Sequence, residues 1–184
     1  INRADLYDEF LGKSKLALKD YAKAIELNNN EYETARAINN RALIYESQKK
    51  YELALKEYTK AFNLIKDSTY KSLSLRNRAA VYEKQGKFDL ALADYNKALE
   101  VAPNDYDGYK DRAFFYEDQG EYDLALLDYS KCIDIDPENA AAYNNRADLY
   151  RYYLKKPELA LKDYAKAIEL NNDEYSTWRA VNNR

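Results

Sequence analysis

The stretch Leu159–Asn172 reads LALKDYAKAIELNN, and the same residues occur unchanged at Leu16–Asn29. Looser copies lie between them: LALKEYTKAFNL at Leu53–Leu64, LALADYNKALEV at Leu90–Val101 and LALLDYSKCIDI at Leu124–Ile135. A segment written five times in 184 residues restricts the fold before any other property does. Each copy marks one small supersecondary unit that cannot bury its apolar face alone, so the units must stack on their neighbours.

A second marker precedes each copy. Asn2-Arg3-Ala4 returns as Asn40-Arg41-Ala42, Asn77-Arg78-Ala79, Asp111-Arg112-Ala113 and Asn145-Arg146-Ala147, each followed by a tyrosine at Tyr7, Tyr45, Tyr82, Tyr116 or Tyr150. Both halves space their apolar residues at i, i+3, i+4 and i+7, which predicts helices. Gly86 and Gly120 fall between the halves, and Pro103 and Pro137 follow the second half. The unit is therefore expected to be two antiparallel helices joined by a tight turn.

The residues Ala113, Tyr116, Gly120, Tyr122, Ala125, Tyr129, Cys132 and Pro137 keep a spacing that resembles the tetratricopeptide repeat. So do Ala79, Tyr82, Gly86, Phe88, Ala91, Tyr95, Ala98 and Pro103. The resemblance spans essentially the whole chain. It implies an all-α fold, a right-handed α-solenoid of stacked antiparallel helix pairs, with repeats at approximately 1–35, 36–71, 72–105, 106–139 and 140–177 and a partial one at 178–184. Alanine at the crossing lets two helices approach while Tyr and Leu fill the space beside it.

The markers are not evenly spaced. Successive arginines are 38, 37, 34, 34 and 38 residues apart, against a family unit of about 34. Three extra residues lengthen the junctions Asn28–Arg36, Asn63–Ser72 and Asn171–Trp178, which are expected to extend the second helix or the loop. One more residue enlarges the turns Gly12–Lys15 and Lys155–Glu158, where Pro157 replaces the usual aromatic. Above this period lies another: residues 1–41 match 144–184 at an offset of 143. The chain starts at Ile and has no Met, so a piece of a longer array is expected.

Composition excludes several classes of function. A formal charge of −3 supplies no bulk reason to bind nucleic acid or an anionic membrane. No apolar run approaches the ~18 residues of a spanning helix, so no membrane insertion is expected. The chain has no His, the commonest general base and metal ligand. Its one cysteine, Cys132, stands where other copies have Ala24, Ala61, Ala98 and Ala167, and reads as a small packing residue. There is no Gly-rich phosphate loop and no HExxH, so no catalytic residue, metal site or cofactor is expected.

The tyrosine ladder, with Tyr21, Tyr58, Tyr95, Tyr129 and Tyr164 on the second helices, reads as interhelix packing. Arg3, Arg41, Arg78, Arg112 and Arg146 are matched in number by Asp20, Glu57, Asp94, Asp128 and Asp163. Each arginine is expected to pair with an acid of its own or the adjacent repeat, its stem along the core; an anion-binding stripe is the alternative. Lys23, Lys60, Lys97, Lys131 and Lys166 follow those acids by three residues and read as solvated surface partners for them.

The family resemblance further implies that the first helices line a concave groove taking a protein or peptide. By position, that groove includes Arg36, Asn39, Leu43 and Glu46, then Arg76, Glu83 and Lys84. It continues with Lys110, Phe114, Glu117 and Asp118, and ends with Asn144, Asp148, Arg151 and Tyr152. Its mixed signs suit a polar peptide. Some members clamp a terminal carboxylate with Lys, Asn and Arg, but here Phe114 stands where that clamp wants Asn, so no chaperone tail is inferred. The leading expectation is a non-catalytic interaction scaffold. The alternative is a structural subunit whose copies stack head to tail into a filament through Ile1, Trp178 and Val181.

Overall fold

The computed structural model describes residues 3–5, 12–27 and 30–170. All regular structure among them is helical. Residues 3–5 are helical, followed by α1 (Ser14–Leu27), α2 (Glu31–Ser47), α3 (Tyr51–Leu64), α4 (Ser68–Lys84) and α5 (Phe88–Val101). Then come α6 (Tyr106–Asp118), α7 (Tyr122–Ile135), α8 (Ala140–Asp148) and α9 (Pro157–Leu170). A π-helical turn, Leu149–Tyr153, follows α8 directly. The chain divides into two compact units, Ile1–Pro103 and Asn104–Arg184. In the first, α1 packs on α2, α2 on α3, α3 on α4 and α4 on α5; in the second, α6 packs on α7, α7 on α8 and α8 on α9.

The small residues sit where the helices cross. Ala42, Ala54 and Ala61, and their counterparts Ala79, Ala91 and Ala98, are fully buried, as are Ala113 and Ala125. One apolar side chain from the next first helix then completes each cluster. Ile44 joins Ala17 and Tyr21, Val81 joins Ala42, Ala54 and Tyr58, and Leu149 joins Ala113, Ala125 and Tyr129. In these three clusters this residue, two positions beyond the crossing alanine, couples a helix pair to its neighbour. Cys132 is buried, its thiol donating to the Tyr106 carbonyl oxygen at 3.5 Å.

The lengthened junctions resolve differently from expectation. The second helices α1, α3, α5, α7 and α9 all span 14 residues. The extra residues instead add a turn to the following first helix: α2 and α4 have 17 residues, whereas α6 has 13. Local chemistry explains this. Asn30 and Asp67 cap the new starts, accepting from the Glu33 N–H at 3.1 Å and the Tyr70 N–H at 2.9 Å. The added turns bring Tyr32 and Tyr70 edge to face at 4.6 Å. The third such junction lies outside the described residues.

The enlarged turn after α8 is corrected too. Its additional residue is absorbed earlier than Lys155–Glu158, by the π turn, in which the Leu154 N–H donates to the Leu149 carbonyl at 3.1 Å. In three other copies the turn closes on the helix tyrosine five residues back: Lys50 to Tyr45 at 2.8 Å, Lys87 to Tyr82 at 2.9 Å and Glu121 to Tyr116 at 2.8 Å. Lys156 closes on Tyr150 at 2.9 Å, six residues back. The closing bond is conserved in kind while the ring grows by one residue. Each turn needs one left-handed residue, supplied by Gly86 and Gly120 in two copies but by Lys49 (φ 58°) and Lys155 (φ 53°) in two others.

Candidate functional site

Two polar ladders order the helix faces. In the first, each arginine pairs with the acid of its own repeat. Arg78 donates through Nε and Nη2 to both carboxylate oxygens of Asp94 at 2.6 Å. Arg112 holds Asp128 at 2.7 and 2.8 Å, and Arg146 holds Asp163 at 2.7 and 2.9 Å. Arg3 binds Asp20 in the same way, whereas Arg41 donates through Nε and Nη2 to the single oxygen Oε2 of Glu57 at 3.2 and 2.6 Å. Arg78 and Arg146 also reach back to the preceding second helix, donating to Thr59 Oγ1 at 2.8 Å and Ser130 Oγ at 3.2 Å. The fork geometry of guanidinium suits carboxylates as buried as Asp94, Asp128 and Asp163. These bonds push Arg78 and Arg146 above their already high pKa. The expected pairing is thus present, and the arginines do not form an open anion stripe.

The lysines that follow those acids turn the other way. Lys97 pairs with Glu100 at 2.7 Å, Lys131 with Asp134 at 3.3 Å and Lys166 with Glu169 at 2.7 Å. The reason is competition: the preceding acids are already occupied by arginine.

The second ladder was not anticipated. The buried second-helix tyrosines donate their hydroxyls to first-helix carboxylates: Tyr58 to Glu46 at 2.8 Å, Tyr129 to Glu117 at 2.7 Å, and Tyr95 to Glu83. In the first and fifth copies the acceptor moves one turn earlier, with Tyr21 bonded to Asp5 and Tyr164 to Asp148 at 2.5 Å. Burial, with the Glu46 charge next, drives the Tyr58 phenol far above its ordinary pKa. A sign of this was present in the sequence: Arg151 stands where copies two to four carry Glu46, Glu83 and Glu117, and an aspartate appears three residues before it.

Several groove positions are therefore already engaged. Glu46 also takes Lys84 Nζ at 2.5 Å, joining α2 to α4. Asn39 and Asn144 are buried; Asn39 Nδ2 donates to Ser74 Oγ at 3.1 Å while its Oδ1 finds no hydrogen-bond partner. Arg36 lies 3.6 Å from Glu33, and Lys110 binds Asp107 at 2.5 Å above the Tyr106 ring. Arg76 is half-buried. Beyond Lys84, the exposed positions are Leu43, Phe114 and Tyr152, each 44–48% exposed, with acidic Asp118 and basic Arg151. Arg151 stacks its guanidinium on Tyr152, 5.0 Å from the ring centroid. Ile1, Trp178 and Val181 lie outside the described residues.

A cleft of about 500 Å³ between α7, α8 and α9 is lined by Ile133, Tyr143, Arg146, Lys162, Asp163, Ala165, Lys166 and Glu169. Its Arg146–Asp163 and Lys166–Glu169 pairs balance, and Lys162 adds one positive charge. Among the described residues no cluster of acids and cysteine could hold a metal ion, and no helix is long and apolar enough to cross a membrane.

Comparisons with known proteins agree with this geometry. Tetratricopeptide repeat family models match residues 33–104 and 94–126, then 1–31 and 140–174, and a TPR repeat model matches 115–151. No match was found among curated proteins. Among solved structures, MamA is similar at a TM-score of 0.68 and 20% identity, over 91% of this chain and 93% of that one. YrrB, described as a TPR protein with an unusual peptide-binding site, gives a TM-score of 0.63 at 25% identity, over 99% of this chain and 90% of its own. The first TPR of Spaghetti, bound to the HSP90 peptide SRMEEVD, gives 0.52 at 29% identity, over 62% of this chain and 90% of that one. Family models that together tile nearly the whole sequence, on helix pairs with alanine at the crossings, place this chain in the tetratricopeptide repeat family.

Proposed function

We propose that the chain is a non-catalytic scaffold that binds a peptide or protein segment on its first-helix face. The observation that carries this reading is the state of that face. Its charged groups are largely held by ion pairs and tyrosine hydroxyls, which presents them in fixed positions. In the second unit, Phe114 and Tyr152 meanwhile stand out as exposed apolar contacts among them. Fixed polar groups around a few apolar anchors are what recognition of an extended segment needs. The family consists generally of protein- and peptide-binding modules, and similar structures include peptide-binding ones.

Selection of peptides from a displayed library tests it. Saturable binders should emerge, and Tyr152→Asp or Phe114→Asp should weaken them at least tenfold with the helical circular dichroism unchanged. Binders indifferent to both substitutions would refute the placement. A second reading, that copies of the chain stack on one another, is favoured by the match of residues 1–41 to 144–184. Light scattering over a concentration series tests that: growth abolished by Trp178→Asp or Val181→Asp supports stacking, and a constant mass ends it.

A further inference from the structure

On the second unit, α6 presents Phe114, Glu117 and Asp118 at i, i+3 and i+4, so the three share one helix face. Phe114 packs its ring edge-on against Tyr129 at 5.8 Å, and the Tyr129 hydroxyl holds Glu117 at 2.7 Å. From the other side comes the π turn. It inserts one residue, a rotation of about 100° in helical phase, and it ends at Tyr153, whose ring is stacked on Tyr122 at 4.4 Å. The turn's first residue, Leu149, packs with Ala113, Ala125 and Tyr129 of α6 and α7, and the Glu117 carboxylate, ahead of burial and Asp118, raises the Tyr153 phenol pKa. Phe114 and Tyr153 are both 44% exposed. Among the described residues neither Glu117 nor Asp118 takes part in an ion pair. Lys110, on the same helix, pairs with Asp107; of the cations flanking Tyr153, Arg151 lies over the Tyr152 ring and Lys155 donates to the Tyr152 carbonyl.

Two open aromatic rings and two carboxylates without a basic partner are complementary to one kind of group. We infer that Phe114, Glu117, Asp118 and Tyr153 form a subsite for a lysine or arginine side chain of the bound segment, the cation charge-paired to the acids with the exposed ring surface beside them. This rests on the first-helix face being the binding face, and it names the chemistry of the segment that binds there. The π turn is what makes the subsite particular to this repeat, since it supplies the second ring. π turns recur at functional positions because they re-aim side chains without breaking the helix.

The probe is a set of displayed dodecamer peptides whose central position is fixed as Lys, Arg, Glu or Leu, selected on the full chain. Enrichment of the Lys and Arg sets over Glu, with binding that weakens as salt rises, is the expected result. Asp118→Asn, at an exposed position that leaves folding alone, should lower affinity for a basic peptide about tenfold. Tyr153→Ala should lower it as much, and Tyr153→Phe should retain it because the ring is kept. Peptides that bind the first-helix face, lose affinity with Tyr152→Asp, yet show no preference at the central position or no response to Asp118→Asn would overturn the subsite alone. Absence of any peptide binding would overturn both it and the groove.

Discussion

Replacing Arg112 by methionine tests whether the arginine ladder stabilises the repeats or merely decorates them. The change keeps most of the aliphatic stem but deletes two charge-assisted bonds, at 2.7 and 2.8 Å, to an Asp128 side chain that is only 5% exposed. It also removes the guanidinium from its place near the rings of Tyr109 and Tyr116, 5.8 and 5.7 Å away. Breaking a fully buried ion pair costs about 3–5 kcal/mol, because the remaining charge is stranded. Arg112 is itself 19% exposed, so water reaches the vacated position. The lower end, about 3 kcal/mol, is expected, equivalent to a fall of roughly 6–12 °C in Tm for a chain of this size. Arg3 supplies the internal control. It makes the same contacts with Asp20 but is 72% exposed, so Arg3→Met should lie within about 1 kcal/mol of wild type. The double variant Arg112→Met with Asp128→Leu should recover most of the loss, since no charge is left buried. Thermal and urea denaturation followed by circular dichroism measure all three. If Arg112→Met is no worse than Arg3→Met, or the double variant is no better than the single, the reasoning is wrong.

Other outcomes are open to measurement. Lys49 holds a left-handed conformation, so Lys49→Gly should stabilise by about 0.5–1 kcal/mol in urea titration, and Gly86→Ala should do the reverse; a destabilised Lys49→Gly would contradict the strain. Leu149→Ala empties the position that joins α8 to α6 and α7. It should cost about 2–5 kcal/mol and quicken amide exchange in α8 and α9 ahead of α6, whereas uniform quickening would argue against neighbour coupling. At alkaline pH the sign follows from groups whose neutral form burial favours. Burial pushes the Cys132 thiol up to about 12 and the Tyr70 phenol likewise to about 12, against about 8.5 and 10 when unfolded. Their contribution is complete below about pH 8.5 and is lost as pH rises toward 12, because the unfolded chain ionises first. Urea midpoints should fall over that window, and Cys132→Ala should delay the onset to about pH 10; a midpoint that rises above pH 9 would be decisive against it.

Much of the architecture was legible because repetition multiplies a weak local signal. Apolar spacing, the crossing alanines and the turn glycines recur together, so the helix pairs, the packing role of the tyrosines and the pairing of Arg78 with Asp94 could be read directly. The departures were visible only as counts. Three extra residues do not say which helix will take them; Asn30 and Asp67 decided it by capping the following helix. One extra residue does not say whether a loop or a π turn absorbs it, because the two differ in backbone hydrogen bonding and not in composition. The bonds from Tyr58 to Glu46 and from Tyr129 to Glu117 join residues on different helices, and the reach of a phenol across a helix pair is a property of packing distance. The candidate face shows the same division. Its positions followed from helical phase, but which side chains remain open there depends on which charges the fold has already paired. That leaves Leu43, Phe114 and Asp118 available while Asn39 is buried. The sequence by itself determined the unit, its period and its core; the tertiary structure decided where the irregular residues go and which polar groups stay available, because both depend on competition among neighbours that are distant in the chain.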